Sequence, residues 1–172
     1  VYLDANIDLY EMGEDDEPVS FRPIGDGKAK FEGTFDGQNH TIENLYQNGW
    51  DLGLDYSTEA GGLFASAVDA SFKNLTIKDA EIVMECIDMG VLVGYSYGNA
   101  TYENISIEGG TIANYQRYTG GVVGEVNGTH TFKNVDVTDT VISSLWGDFD
   151  TSLGGIIGGK WGNATVTMED CD

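Results

Sequence analysis

The chain has 172 residues, and its 8 Lys and Arg against 29 Asp and Glu give a formal net charge of −21 at pH 7. This charge argues against nucleic acid as a partner, and the sequence contains no apolar run long enough to cross a membrane. Glycine occurs 24 times and proline twice, and 41% of the residues are hydrophobic, a composition that favours a β-rich core with many tight turns over disorder.

The first 34 residues are predicted to form an opening coil. Leu3, Ala5, Ile7 and Leu9 alternate with polar residues, as in a half-buried strand, and the acidic segment 11–18 is predicted to be a solvated loop. The chain lacks an initiator Met and ends in a strand-like segment. We therefore expect it to be an excerpt of a longer protein.

The rest of the chain, residues 35–172, carries an internal repeat. Its first element begins with Thr or Ser and ends with Asn followed by an aliphatic residue. Successive copies start at positions 41, 71, 101 and 131, so they are 30 residues apart. A looser fifth copy starts at Thr167 and has Asp170 in place of the Asn. The copies are Thr41–Leu45, Ser71–Leu75, Thr101–Ile105, Thr131–Val135 and Thr167–Cys171. A fixed period of this length is typical of solenoids.

Two further elements keep the same period. One is marked by Ile82, Ile112 and Ile142. The other is rich in glycine and aliphatic residues and comprises Gly61–Ala65, Gly90–Gly94, Gly120–Gly124 and Gly154–Gly158. Three short strands per repeat would make one coil that pairs with the next in parallel. The sequence therefore predicts a single all-β domain over 1–172, a parallel β-helix of about five three-strand coils of ~30 residues.

The asparagines of the first element are predicted to form a structural ladder. Phe72 lies three residues before Leu75, so both can face the core only if the strand bends near Asn74. Stacked asparagines at such a bend could hydrogen-bond to the backbone of the neighbouring coil. The predicted ladder comprises Asn44, Asn74, Asn104 and Asn134.

These patterns resemble a known family. The Gly-Gly-aliphatic-aliphatic-Gly element, the Asn-aliphatic strand, the opening 21–25 and the segment 31–37 are similar to the GLUG-repeat β-helices of bacterial surface adhesins and IgA-protease-type surface proteins. The resemblance covers nearly the whole chain, although Ala65 and Val91 replace glycines of the pattern. It implies a right-handed β-helix in a secreted or cell-surface protein, in a region that is not catalytic.

The expected function is accordingly a non-enzymatic extracellular or cell-surface segment of an adhesin, stalk or filament. The alternative is a polysaccharide-active β-helix enzyme, which would need a basic residue or close carboxylates on one strand face. Lys and Arg are scarce, and His40 and His130 are isolated in sequence, so no catalytic residues are assigned. An ice-binding solenoid is a further rival, but only Thr165-Val166-Thr167 approaches the regular threonine array that it would require.

The longest insertions fall at one predicted corner, between the second and third strands of each coil. Their aromatic side chains, next to carboxylates, are the expected contacts for a glycan, a protein surface or another copy along a fibre. The alternative is that the tryptophans fold back onto the solenoid. The contact candidates are Trp50, Tyr56, Tyr115, Tyr118, Trp146 and Phe149. Calcium is a weaker possibility at Asp51, Asp55, Asp148 and Asp150, which lack the EF-hand pattern; no other metal or cofactor is expected.

Sequons and cysteines complete the candidate sites. Asn99, Asn127 and Asn163 begin sequons at what is predicted to be the same turn of successive coils, so they could carry a column of N-linked glycans, or could simply be good turn formers. Cys86 and Cys171 are predicted not to be bonded to each other, because they lie about three coils apart.

Overall fold

The computed structural model describes residues 1–25, 28–52, 60–145 and 151–172, and within these ranges all of the regular structure is β. The strands are β1 (Ile7–Asp8), β2 (Phe31–Glu43), β3 (Tyr46–Asn48), β4 (Ala60–Gly61), β5 (Phe64–Lys78), β6 (Glu81–Met84), β7 (Asp88–Gly90), β8 (Val93–Glu108), β9 (Thr111–Asn114), β10 (Tyr118–Gly120), β11 (Val123–Thr138), β12 (Val141–Ser144), β13 (Ser152–Gly154), β14 (Ile157–Lys160) and β15 (Thr165–Cys171).

The strands form three sheets that the chain visits in rotation. The largest is seven-stranded with the order β1-β2-β5-β8-β11-β14, and β15 also pairs with β11. The other two have the orders β3-β6-β9-β12 and β4-β7-β10-β13. Every pairing between these named strands is parallel. The prediction of an all-β fold with parallel pairing between repeats is confirmed, and the topology is consistent with a parallel β-helix.

Each repeat contains one long strand and two short ones. In the second repeat these are β5, β6 and β7, and β8 starts the next. The glycine-rich element is not a separate strand as predicted. Gly90 ends β7, Val91 and Leu92 form a bend, and Val93 begins β8. The close approach of neighbouring backbones explains the glycines, since a Cβ on Gly124 would lie 2.4 Å from the backbone nitrogen of Met89.

The predicted bend in the long strand is confirmed. Asn74 has a φ of 54°, in the left-handed region, and both Phe72 and Leu75 are buried. The aromatic residues of successive copies stack inside the coil, with ring centroids 5.4 Å apart for Phe72 and Tyr102 and 4.5 Å apart for Tyr102 and Phe132. The bend therefore allows one strand to present core residues on both sides of a corner.

The opening residues pair with the first full repeat. β1 pairs with β2, Phe21 N–H donates to the carbonyl of Tyr46, and Ile24 bridges to Phe64. The expected half-buried strand is wrong in part, because Leu3 is buried and Leu9 partly buried, whereas Ala5 and Ile7 are exposed. Only two residues of this segment, Ile7 and Asp8, pair as a regular strand, so the alternation does not extend through it.

Candidate functional site

Asn74, Asn104 and Asn134 lie in one column of the largest sheet. The Nδ2 of Asn134 donates to Oδ1 of Asn104 (3.0 Å), and the Nδ2 of Asn104 donates to Oδ1 of Asn74 (2.8 Å). Asn74 in turn donates to the Asp36 carboxylate (3.0 Å). The side chains therefore bond to one another and not to the neighbouring backbone, contrary to the sequence prediction. Left-handed φ angles of 52–54° explain the choice of Asn at all three positions.

Asn44 does not belong to this column, and its prediction as a ladder member is wrong. Ile42 pairs with Ile77, a separation of 35 residues, which places Asn44 level with Asp79 at the next corner. The register shifts between Asp36 and His40, where the first repeat carries extra residues that the sequence comparison at 30-residue spacing did not detect. Asn44 donates instead to Asp8 (2.9 Å).

Charge and hydrogen bonding are concentrated at Asp36, the carboxylate that ends the ladder. The Asn74 amide, with the backbone N–H of Gln38 and the ammonium of Lys73, holds the pKa of Asp36 below its ordinary value. The Lys73 Nζ lies 3.3 Å from Asp36 Oδ2. The Lys73 side chain is 38% exposed, so solvent screens the ion pair, and Asp36 acts mainly as a terminal acceptor for the ladder.

The three sequons do not form one column. Asn99 pairs with Thr129, and Asn127 pairs with Tyr97, so the two asparagines lie on either side of the aligned Gly98 and Gly128. Asn99 and Asn163 are exposed, whereas Asn127 is half-buried and donates to the hydroxyl of Tyr95 (3.1 Å). The amide nitrogens of Asn74 and Asn104 are occupied within the ladder.

The corner loops lie between β3 and β4, between β9 and β10, and between β12 and β13, at the corner predicted from the sequence. Trp50 is 65% exposed, so it does not fold back onto the solenoid, and its backbone N–H donates to Asn48. Tyr115 and Tyr118 are half-buried. The predictions for Tyr56, Trp146 and Phe149 lie outside the described residues.

A cleft of about 520 Å³ opens between the acidic loop and the loop that follows β3. Asp15 and Glu17 line one side, and Tyr46, Asn48 and Asp51 line the other. Three carboxylates in one cleft favour a cationic or neutral occupant over an anionic one.

The calcium hypothesis stays untested. Asp51 Oδ2 accepts a hydrogen bond from the hydroxyl of Ser20 (3.2 Å), and Asp55, Asp148 and Asp150 lie outside the described residues. In the described part of the chain, no group of three or more His, Cys, Asp or Glu is placed to hold a metal ion.

Two buried polar clusters were not found by sequence reasoning. Asp88, which begins β7, and Glu125, near the start of β11, are each 5% exposed and hydrogen-bond to each other. Burial raises the pKa of Glu125, and Asp88 and Arg117 oppose that shift. These two residues are 37 positions apart (125 − 88) and belong to different elements of the repeat. The 30-residue period of the sequence therefore gave no indication that they are in contact.

The second cluster lies beneath the outer face of the largest sheet. The Tyr102 hydroxyl donates to Ser96 Oγ (2.8 Å), which lies 3.1 Å from Nε2 of the fully buried His130. Burial lowers the pKa of His130, which favours the neutral ring. The interpretation of His130 as an isolated side chain before a strand missed this internal contact.

Cys86 and Cys171 are both free thiols. Cys86 is buried before β7 and donates weakly to the carbonyl of Asp88, and Cys171 ends β15 opposite Val135. Burial raises the pKa of the Cys86 thiol, which disfavours a reactive thiolate.

Two columns of polar side chains on the largest sheet, mostly exposed and mostly carrying hydroxyl groups, were also missed. Paired residues run Thr34, Ser71, Thr101, Thr131 and Thr167 in one column, and Asn99, Thr129 and Thr165 in the next. The signal was present in the sequence, because Thr129-His130-Thr131 repeats the pattern of Thr165-Val166-Thr167, but only the latter was recognised.

No family model matches the chain, and no curated protein matches it. A solved structure described as a putative immunoglobulin A1 protease from Bacteroides ovatus resembles it, with 15% sequence identity and a TM-score of 0.41 over 99% of this chain and 67% of that chain. That description agrees in name with the IgA-protease-type resemblance, while the GLUG part has no counterpart among the matches. Within the described ranges, no helix has the length and apolar character needed to span a membrane.

Proposed function

We propose that residues 1–172 form one right-handed parallel β-helix domain of a secreted or cell-surface protein, with a structural and adhesive role and no catalytic activity. The observation that carries this proposal is the winding of the chain through three parallel sheets, with an asparagine ladder that links successive repeats in the largest sheet. Parallel connections of this kind are almost always right-handed. Six strands in the main path, at ~4.8 Å each, span roughly 24 Å between the first and last.

A stack of this kind suits a spacer that presents side chains at fixed intervals. Its repeats contact mainly their neighbours, so length can vary without rebuilding a common core. The exposed Trp50 and the acidic cleft supply loop contacts for a glycan or a basic protein surface. The exposed Asn163 is the position that we propose for an N-linked glycan where the source can attach one.

The rival enzyme requires carboxylates that a substrate can reach. Among the described residues, Asp88 and Glu125 form a close carboxyl pair, but both side chains are buried, so this pair fits an internal structural role better than polysaccharide cleavage.

The test combines cell labelling with a turnover assay. Antibodies against the chain should label intact, unpermeabilised cells of the source, and the purified chain should release no reducing ends or unsaturated products from neutral or uronate polysaccharides. Labelling that requires permeabilisation would refute the surface location. Turnover that is lost on replacing Glu125 or Asp51 by the matching amide would refute the non-enzymatic role.

A further inference from the structure

We propose that the outer face of the largest sheet is a binding surface for an extended neutral polysaccharide chain, separate from the loop contacts described above; this inference rests on the proposed surface function. The surface, which we call the hydroxyl facet, consists of two columns. They are Thr34, Ser71, Thr101, Thr131 and Thr167, and beside them Asn99, Thr129 and Thr165.

Three of the five strands of the facet, β8, β11 and β15, pair without interruption between two bends. From Asn99 to Glu103, β8 pairs residue for residue with β11, and β11 does the same with β15 from Thr129 to Lys133. Left-handed residues mark both limits, Gly98 before the stretch and Asn104 after it. Adjacent strands lie ~4.8 Å apart, and the two columns are separated by two residues, or ~7 Å.

Packing beneath the facet holds its side chains in place. Ala100, Tyr102, His130 and Phe132 alternate with the facet residues and are buried, and the two aromatic rings stack at an interplanar angle of 4°. The Thr101 hydroxyl donates to Ser71 Oγ (2.9 Å), which fixes these two hydroxyls relative to each other. The donors and acceptors are therefore arranged at regular intervals before any ligand binds.

Charge selects the class of ligand. The chain carries a formal charge of −21, yet neither column of the facet contains a charged residue; one exposed carboxylate, Asp69, borders the second column and accepts a hydrogen bond from the Asn99 backbone N–H (2.8 Å). The next column alternates in sign, as Asp36, Lys73, Glu103, Lys133 and Glu169. Alternating charges largely cancel at a distance, so the facet offers hydrogen bonds without a strong field of either sign. A neutral, hydroxyl-rich ligand fits this surface better than an anionic one.

Size argues for a repetitive polymer over a protein partner. Five strands at ~4.8 Å and two columns ~7 Å apart, with the charged column beside them, cover roughly 300 Å². A stable protein interface needs about 800 Å² on each partner. The facet is therefore too small for a stable dimer, whereas an extended sugar chain can use one row of hydroxyls per strand and gain affinity from repeated weak contacts.

Co-sedimentation with microcrystalline cellulose and with crystalline chitin tests the proposal. Wild-type chain should sediment with at least one of them, and the bound fraction should be nearly the same at low and high salt. The pair Thr129→Val and Thr131→Val removes two exposed facet hydroxyls and should lower binding at least fivefold. The matched pair Thr111→Val and Thr138→Val removes two exposed hydroxyls elsewhere and should leave binding unchanged.

The valine variants keep a methyl group at each position, and this group could by itself retain affinity for the polysaccharide. A second pair of variants, with glutamate at the same positions, keeps the test decisive in that case. Thr129→Glu and Thr131→Glu should abolish sedimentation, while Thr111→Glu and Thr138→Glu should not. The inference is wrong if neither polysaccharide binds, if facet and control pairs behave alike, or if Trp50→Ala alone removes binding. It is also wrong if the facet pair instead abolishes self-association or inhibition of ice growth. Each of these results leaves the cell-labelling and turnover tests of the proposed function intact.

Discussion

Single residues at the bends combine backbone conformation with a side-chain ladder. Asn104 has a φ of 54°, accepts a hydrogen bond from Asn134 and donates one to Asn74. Asparagine tolerates the left-handed region better than most residues, because its short polar side chain can bond locally. Asparagine at this position therefore adopts the left-handed backbone conformation and also both donates and accepts a hydrogen bond in the ladder.

Replacing Asn104 by Ala should lower the free energy of unfolding by ~2–3 kcal/mol, from the left-handed strain and two lost hydrogen bonds. Asn104→Gly removes the bonds without the strain and should cost about 1 kcal/mol. Urea denaturation measures both. The control is Asn99→Ala, since Asn99 is exposed and is not among the residues with positive φ. Equal losses for the Asn99 and Asn104 alanine variants would show that the ladder contributes no stability.

Elements were predicted well where the repeat was regular and poorly where it was not. The relation of Phe72 to Leu75 was enough to locate the bend, because burial of both side chains leaves few backbone paths. The first repeat was misaligned because its register changes between Asp36 and His40, and residue similarity at Asn44 hid that change. The Asp88–Glu125 contact depends on how two sheets approach each other, which the period of the sequence does not encode.

The glycine-rich elements provide a matched pair at equivalent positions. A Cβ on Gly121 would lie 2.0 Å from the carbonyl oxygen of Gly155 and 2.8 Å from a methyl of Val137, whereas a Cβ on Gly155 would meet nothing within 4 Å. Gly121→Ala must therefore push adjacent coils apart, and Gly155→Ala need not.

We expect Gly121→Ala to destabilise the chain by roughly 2–3 kcal/mol and Gly155→Ala to change stability by less than about 0.5 kcal/mol. Thermal unfolding followed by circular dichroism compares the two. Similar melting temperatures for the two variants would contradict the close backbone approach that we assign to this element.

At the scale of the whole molecule, stability should decline towards both ends of the pH range for different reasons. The Asn74 amide and its neighbours lower the pKa of Asp36, so its stabilisation is present above the ordinary value of 3.8 and is lost as the pH falls through the lower folded value. Acid therefore weakens the carboxylate at the end of the ladder. The buried carboxyl pair responds in the opposite direction.

Asp88 and Glu125 can hydrogen-bond to each other only while one of them holds a proton. Because burial raises the pKa of Glu125 above its ordinary 4.5, its contribution is fully present below that value and is lost as the pH rises through the folded pKa. The wild type should lose stability with rising pH by at most ~1.4 kcal/mol per pH unit in this window. Glu125→Gln keeps an N–H donor for Asp88 but does not titrate, so the free energy of unfolding of this variant should fall less with rising pH than that of the wild type.

Urea denaturation from pH 4.5 upward compares the two proteins, and an infrared band of a protonated carboxyl group is the direct readout of the proton on the pair. Parallel stability curves, or no such band in the wild type just above pH 4.5, would mean that the pair is ionised and that its burial is compensated by Arg117 alone.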